Sequence, residues 1–167
     1  MPATASFDIT STIDFQEVDN ALNQARKEVG QRYDFKGAKA DIELNPTEKK
    51  LTLTTDDEMK MNALWEIVQT RLVRRGVAVK NFKVGDSEPA AGGTVRRVIE
   101  IQQGIPIEAA REIVKFIKDQ KLKKVQAAIQ ADQLRISAPS RDELQTAIRL
   151  LKAQDFGCEL QFGNYRE

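Results

Sequence analysis

Polar and apolar residues alternate around Phe7 and Ile9, the period-two signature of a short strand. The period then lengthens. Phe15, Val18, Leu22, Ala25 and Val29 recur every three or four residues and predict one face of an amphipathic helix. Asp14 is placed to cap it, with Glu17 three positions on. Alternation returns at Ala38, Ala40, Ile42 and Leu44, and again at Leu51, Leu53 and Thr55. The intervening NPTEKK, residues 45–50, supplies a turn, so these two runs form a hairpin. Met61, Leu64, Trp65, Val68 and Leu72 make a second helical stripe. Gly76 ends it, and Arg71, Arg74 and Arg75 suit the negative end of its dipole. Val77 to Val84 reads as a closing strand.

DSEPAAGG, residues 86–93, has the small, proline-containing composition of a linker, and after it the order restarts. Residues 95–102 predict a strand, and Pro106 opens a helix carrying Ile107, Ala110, Ile113, Val114 and Ile117. Val125, Ala127 and Ile129 pair with Leu134 and Ile136 through a turn near Asp132. Ser140 and Glu143 form a capping box for a last helix with the stripe Leu144, Ala147, Ile148 and Leu151, and Glu159 to Phe162 predicts a final strand. Six core-type positions, Leu51, Leu53, Met61, Leu64, Trp65 and Val68, lie 83 places before Leu134, Ile136, Leu144, Ala147, Ile148 and Leu151. A constant offset indicates an internal duplication. The fold class is therefore α+β: two tandem ferredoxin-like βαββαβ units, at 1–85 and 94–167, joined by the linker at 86–93.

Composition narrows the function. The 167 residues include no histidine and one cysteine, which excludes the usual Cys/His zinc site and any histidine-based triad. No metal, cofactor or catalytic residue is called for. No run approaches the ~18 apolar residues of a membrane span. The opening MPATASFDIT lacks the basic and apolar regions of a secretory signal, so the expected location is the cytoplasm, without membrane association. The net charge of +1 is low for a nonspecific duplex binder.

Some ferredoxin-like domains bind RNA by stacking bases on aromatics of the central strands. LTLTT (51–55) and LRISA (134–138) carry none. With the leucines facing the helices, the open faces present Thr52, Thr54, Arg135 and Ser137, which disfavours that mode. Basic clusters remain at Arg71-Leu72-Val73-Arg74-Arg75, at Arg96-Arg97 and at Lys121-Leu122-Lys123-Lys124. Each reads first as a solvated helix end or strand edge, and together they offer a shallow phosphate-binding surface. Neither a P-loop nor a GxGxxG fingerprint is present. Trp65 and Phe82 read as packing residues, Asp56, Asp57 and Glu58 as complements to a helix N-terminus, and Cys158 as a small buried side chain.

RYDFKG, residues 32–37, concentrates more chemistry than any other stretch. It joins the first helix to the first hairpin with two cations, a carboxylate, two rings and a glycine. Two readings are open. In an extended connection Tyr33 and Phe35 point to one side and fill the core, Gly37 permits the turn, and Arg32, Asp34 and Lys36 face solvent. Alternatively the same groups hold a nucleotide, with a ring or guanidinium on the base, a carboxylate at its edge and cations on phosphate.

Here the chain resembles a known family. SFDITSTIDFQEVDNALNQA (6–25), RYDFKG (32–37), RDELQTAIRLLK (141–152) and LQFGNYR (160–166) are similar to segments of the YajQ-type bacterial nucleotide-binding proteins. The resemblance covers nearly the whole chain, less closely in 38–55 and 86–93. It implies that the units exchange their N-terminal strands, 6–12 pairing in the C-terminal sheet and 95–102 in the N-terminal one. It also implies nucleotide binding without established catalysis. Ligands in the family include cyclic di-GMP, with action on transcription, and RNA binding has been proposed. The chemistry of this chain then suggests roles. Arg32 stacks on a guanine, Asp34 meets its N1 and N2 edge, Lys36 meets a phosphate, Gly37 allows close approach, and Tyr33 is counted with them among the nucleotide-binding residues. Tyr165 and Arg166 form a second ring-and-cation pair, and whether they share a site with 32–37 stays open. The expected function is a non-enzymatic regulatory protein binding cyclic di-GMP, GTP or ATP and acting through a partner such as a transcription regulator. The alternative is an RNA- or ribosome-associated protein that uses the basic clusters.

Overall fold

The structure, a computed structural model, describes residues 5–120, 122 and 124–166. In chain order its regular elements are β1 (Ala5–Thr10), α1 (Phe15–Gln31), β2 (Ala40–Asn45), β3 (Lys50–Thr55), α2 (Glu58–Arg74), β4 (Phe82–Ala90), β5 (Thr94–Ile101), α3 (Ile107–Asp119), β6 (Gln126–Gln130), β7 (Gln133–Ala138), α4 (Arg141–Lys152) and β8 (Gln161–Arg166). They form two four-stranded antiparallel sheets, ordered β2-β3-β5-β4 and β6-β7-β1-β8. Each sheet has two helices and its own hydrophobic core, the ferredoxin-like α+β arrangement.

The central strands come from the opposite halves of the chain. β5 lies between β3 and β4, and β1 lies between β7 and β8. The compact units are accordingly Ile13–Gln102 and the combination of the segment ending at Thr12 with the segment beginning at Gln103. Their boundaries differ from the 1–85 and 94–167 expected from the repeat, because a repeat marks where a pattern restarts and not which strands pair.

In the 13–102 unit, Asp14 caps α1 by accepting from the backbone N–H of Gln16 and Glu17. Val18, Ala21, Leu22 and Ala25 of α1 and Met61, Leu64, Ile67, Val68 and Leu72 of α2 are buried against Ile42, Leu51, Leu53 and Ile99 of the sheet. Of the twelve positions related by the repeat, all but Trp65 are buried, and Trp65 packs half-buried at the margin.

Residues 86–93 are not a linker. Through Ala90 they belong to β4, paired with β5 from Phe82↔Ile101 to Ala90↔Thr94, and the strand predicted at 77–84 begins only at Phe82. β4 is an edge strand, so Pro89 has a place there despite its missing donor. The register shifts between Val84 and Ser87, and Gly92 and Gly93 turn the hairpin with φ of +73° and +75°. A proline and glycines therefore serve an edge and a turn here, where their composition alone suggests a tether.

In the other unit, Ser140 caps α4 by accepting from Glu143 N–H, and Pro106 precedes the first residue of α3. Phe7 and Ile9 of β1 are fully buried against Ile113, Leu134, Ile136, Leu144 and Leu151. The closing strand runs 161–166, later than the predicted 159–162.

Candidate functional site

Helix α1 stops where Arg32 turns extended, with ψ of 133°, and Tyr33–Phe35 form a single 3-10 turn. Phe35 N–H donates to Arg32 O, and Lys36 N–H to Tyr33 O. This corrects the extended geometry expected of the segment. In a helix with three residues per turn, positions two apart point in widely different directions. Phe35 enters the core at 5% exposure, while Tyr33 stands in solvent at 87%. Gly37 ends the turn at φ +75°, with open space around the position of a Cβ. It provides backbone conformation and is not forced by crowding.

Arg32 and Asp34 meet directly. Nε donates to Oδ1 at 3.0 Å and Nη2 to Oδ2 at 2.8 Å, a fork on a carboxylate. The third nitrogen is 3.7 Å from Glu28, and the guanidinium carbon lies 5.9 Å from the centre of the Phe35 ring. The hydrogen bond from Arg32 holds the Asp34 carboxyl below its ordinary value, and the same bond raises Arg32. Lys36 is exposed and pairs with no described residue. Beside the turn, Glu28, Arg32, Glu66, Thr70, Arg71 and Arg74 line an open cleft of about 350 Å³.

Tyr165 and Arg166 belong to the other unit, at the end of edge strand β8. The register passes from Asp8↔Gly163 to Ser6↔Arg166, so Asn164 and Tyr165 together face the single residue Phe7, with Asn164 at φ +53°. This bulge changes the parity of the strand. Tyr165 lies on the same side as Phe162, three residues away, and both rings approach Phe7, at 6.1 and 5.9 Å between centres. Tyr165 nevertheless keeps 60% of its surface in solvent. Arg166 takes the opposite face, 4.0 Å from Asp8.

The comparisons with known proteins cover nearly the whole chain. The family model described as "Nucleotide-binding protein YajQ-like" matches residues 5–166. The chain belongs to the YajQ-like nucleotide-binding family. A relative from Trichlorobacter lovleyi, named "Nucleotide-binding protein", is 49% identical over 164 residues, 97% of this chain and 99% of its own length. One from Carboxydothermus hydrogenoformans with the same name is 48% identical, covering 99% and 100%. A third, from Solibacter usitatus, is 50% identical over 161 residues, 96% of each chain.

Four of the five arginines in the basic clusters of this YajQ-like chain are already engaged. Arg71 pairs with Glu28 at 2.8 Å, Arg75 with Glu17 at 2.7 Å, Arg97 with Glu58 at 3.0 Å and Arg96 with Glu88 at 3.7 Å. Arg74 has no partner among the described residues, and Lys121 and Lys123 lie outside them. The open sheet faces carry Thr52 and Thr54 in one unit and Arg135 and Ser137 in the other, with no aromatic at those positions.

The residues that sequence reasoning missed are Arg141 and Gln145. With Ser6, Tyr165 and Arg166 they line a groove of about 490 Å³. No local signal marks them, because Ser6 and Arg166 become neighbours only when β1 pairs with β8.

Proposed function

We propose that this chain is a regulatory protein that binds a guanine nucleotide such as cyclic di-GMP at Arg32–Gly37, and that it acts through a partner and not by catalysis. The observation that carries the reading is Tyr33, a ring held 87% exposed by a turn whose next aromatic is buried. A solvated ring offers a face on which a base can stack. Arg32 and Asp34 beside it carry the two polar functions a guanine edge and a phosphate require, and Lys36 adds a mobile cation. The relatives' shared name, nucleotide-binding protein, supports the ligand class. Ligand binding alters a partner contact to the extent that it favours one of two states.

Polyanion binding by the basic clusters has less support, since four of their arginines are tied to carboxylates. Calorimetric titration with cyclic di-GMP, GTP, ATP and a short single-stranded RNA, at low and moderate salt, separates the two. Saturable cyclic di-GMP binding, weakened by Arg32→Ala and only mildly salt-dependent, is the expected result. RNA binding that collapses steeply with salt, with no nucleotide bound, would overturn it.

A further inference from the structure

Each four-stranded sheet has two edges, and three of these four edges are guarded. In the 13–102 unit, Arg26 of α1 donates to the Ile42 carbonyl of β2, a strand that also carries Asp41 and Glu43. β4 carries Pro89 and a register shift. In the other unit, β8 has the Asn164 bulge and ends at Arg166. Charges, prolines, bulges and covering groups are the devices that keep an edge from pairing with another chain. β6, QAAIQ, has none of them, and only its length of five residues limits it. Its register with β7 runs unbroken from Gln126↔Ser137 to Gln130↔Gln133, and among the described residues no side chain bonds its backbone.

The turn after β6 fixes which side of the strand is free. Gln130 and Gln133 close a two-residue turn at Ala131 and Asp132, with Ala131 at φ +56°, so that pair exchanges its backbone bonds. Alternation then directs the N–H and C=O of Ala127 and Ile129 away from β7. Gln126, Ala128, Ile129 and Gln130 are exposed, and Ile129 stays 39% exposed although it lies opposite buried Leu134. Ile105 N–H donates to Asp132 O at 2.9 Å, which sets the start of α3, with exposed Ile107, beside the end of this edge.

The strand is complementary to itself. Antiparallel pairing about Ala128 sets Ala127 opposite Ile129 of the second copy, both with free backbone groups, and Gln126 opposite Gln130. A small side chain meets a large one, an amide meets an amide, and no like charges face each other. The flanking charges match as well. Lys124 lies four residues before Ala128 and Asp132 four after it, so each lysine approaches the aspartate of the other copy. We propose that β6 is a homodimerisation edge, through which two copies join their sheets about a two-fold axis at Ala128. The partner is a second copy of this chain. The surface uses none of Arg32–Gly37, so it does not depend on the nucleotide-binding reading.

The full-length protein is followed by sedimentation velocity from about 0.02 to 1 mM, because one short strand per copy places the interface in the small, transient class. A monomer–dimer equilibrium is expected. Ala128→Glu should weaken it about tenfold or more, since it sets two carboxylates face to face across the axis while meeting Arg135 on its own β7. Thermal melting checks that the variant is folded. Ala128→Cys tests the register. A self-opposed residue in a non-hydrogen-bonded pair has Cα atoms about 4.5 Å apart, within the ~4.4–6.8 Å range of a disulfide. Under mild oxidation Ala128→Cys is expected to cross-link several-fold faster than Gln126→Cys or Gln130→Cys alone, while an equimolar mixture of those two cross-links readily. Cys158 is buried and stays out of the reaction. A monomer across the whole range overturns the proposal and leaves the edge to a strand of another protein. A dimer unchanged in folded Ala128→Glu, or equal cross-linking of the three single variants, overturns it by placing the contact elsewhere.

Discussion

Arg32 and Asp34 occupy each other: both carboxylate oxygens of Asp34 accept from one guanidinium, at 3.0 and 2.8 Å. Each oxygen keeps a second lone pair, so on the proposed reading a guanine edge meets Asp34 beside Arg32 or in its place. Both side chains are well exposed, so solvent screens the pair and it adds little to stability. Asp34→Asn is therefore expected to leave the melting temperature nearly unchanged and to erase, in competition titrations, the preference for GTP over ATP that the proposed guanine site requires of the wild type. An unchanged preference would reduce Asp34 to a tether for Arg32.

Tyr33 and Phe35 are expected to separate binding from stability. Phe35→Ala removes a core ring and should cost about 3–5 kcal/mol in chemical denaturation. Tyr33→Ala removes an exposed ring and should change stability by less than about 0.5 kcal/mol. Its cost appears in nucleotide affinity, about 1–3 kcal/mol for a lost stacking contact. Equal effects of the two substitutions on both measurements would show that the turn acts as one structural piece.

Asp8 gives the fold a dependence on acid. It is 8% exposed, bonded to Arg135 Nε at 3.0 Å and to the Asn164 amide. The Arg135 hydrogen bond holds its carboxyl below the ordinary value, against the opposing effect of burial. A depressed folded-state value stabilises the native protein above the unfolded carboxylate pKa, about 3.9, and that contribution disappears as pH falls through the folded value. Asp8→Asn is expected to lose on the order of 1–3 kcal/mol at neutral pH and to show a flatter loss of stability below about pH 4, measured by thermal melts across pH 2–7. Parallel acid profiles for wild type and variant would contradict this.

The strand pairing predicts which fragments fold. Residues 13–102 contain four strands, two helices and one complete core, and should give a cooperative melt and dispersed amide resonances. Fragments 1–85 and 94–167 each lack a partner for a central strand and retain one that belongs elsewhere. They should be unfolded or aggregated alone. Cooperative folding of 94–167 by itself would contradict the observed role of β1.

Local features were legible because their causes are local. The stripe Val18, Leu22 and Ala25 and the caps at Asp14 and Ser140 depend on residues within a turn or two. The parity of β3 showed that Leu51 and Leu53 are buried while Thr52 and Thr54 are not. Misreadings arose where one composition serves two geometries. DSEPAAGG suits both a tether and an edge strand, and Tyr33 and Phe35 share a side only in extended backbone. Tyr165 shares a face with Phe162 because Asn164 adds a residue to the ladder, which no alternation rule anticipates. Arg141 and Ser6 meet around one groove only through a pairing that spans the chain.

That pairing also sets an order of events during synthesis. β1 is synthesised before the other described strands, yet one of its two neighbours, β8, ends at Arg166. At about 5–20 residues per second, Phe7 and Ile9 wait roughly ten seconds or more for that neighbour. The 13–102 unit has all four of its strands once β5 has emerged. A strand made before both of its partners is thus among the last to be covered, so the nascent chain carries an exposed apolar strand that holding chaperones would be expected to protect.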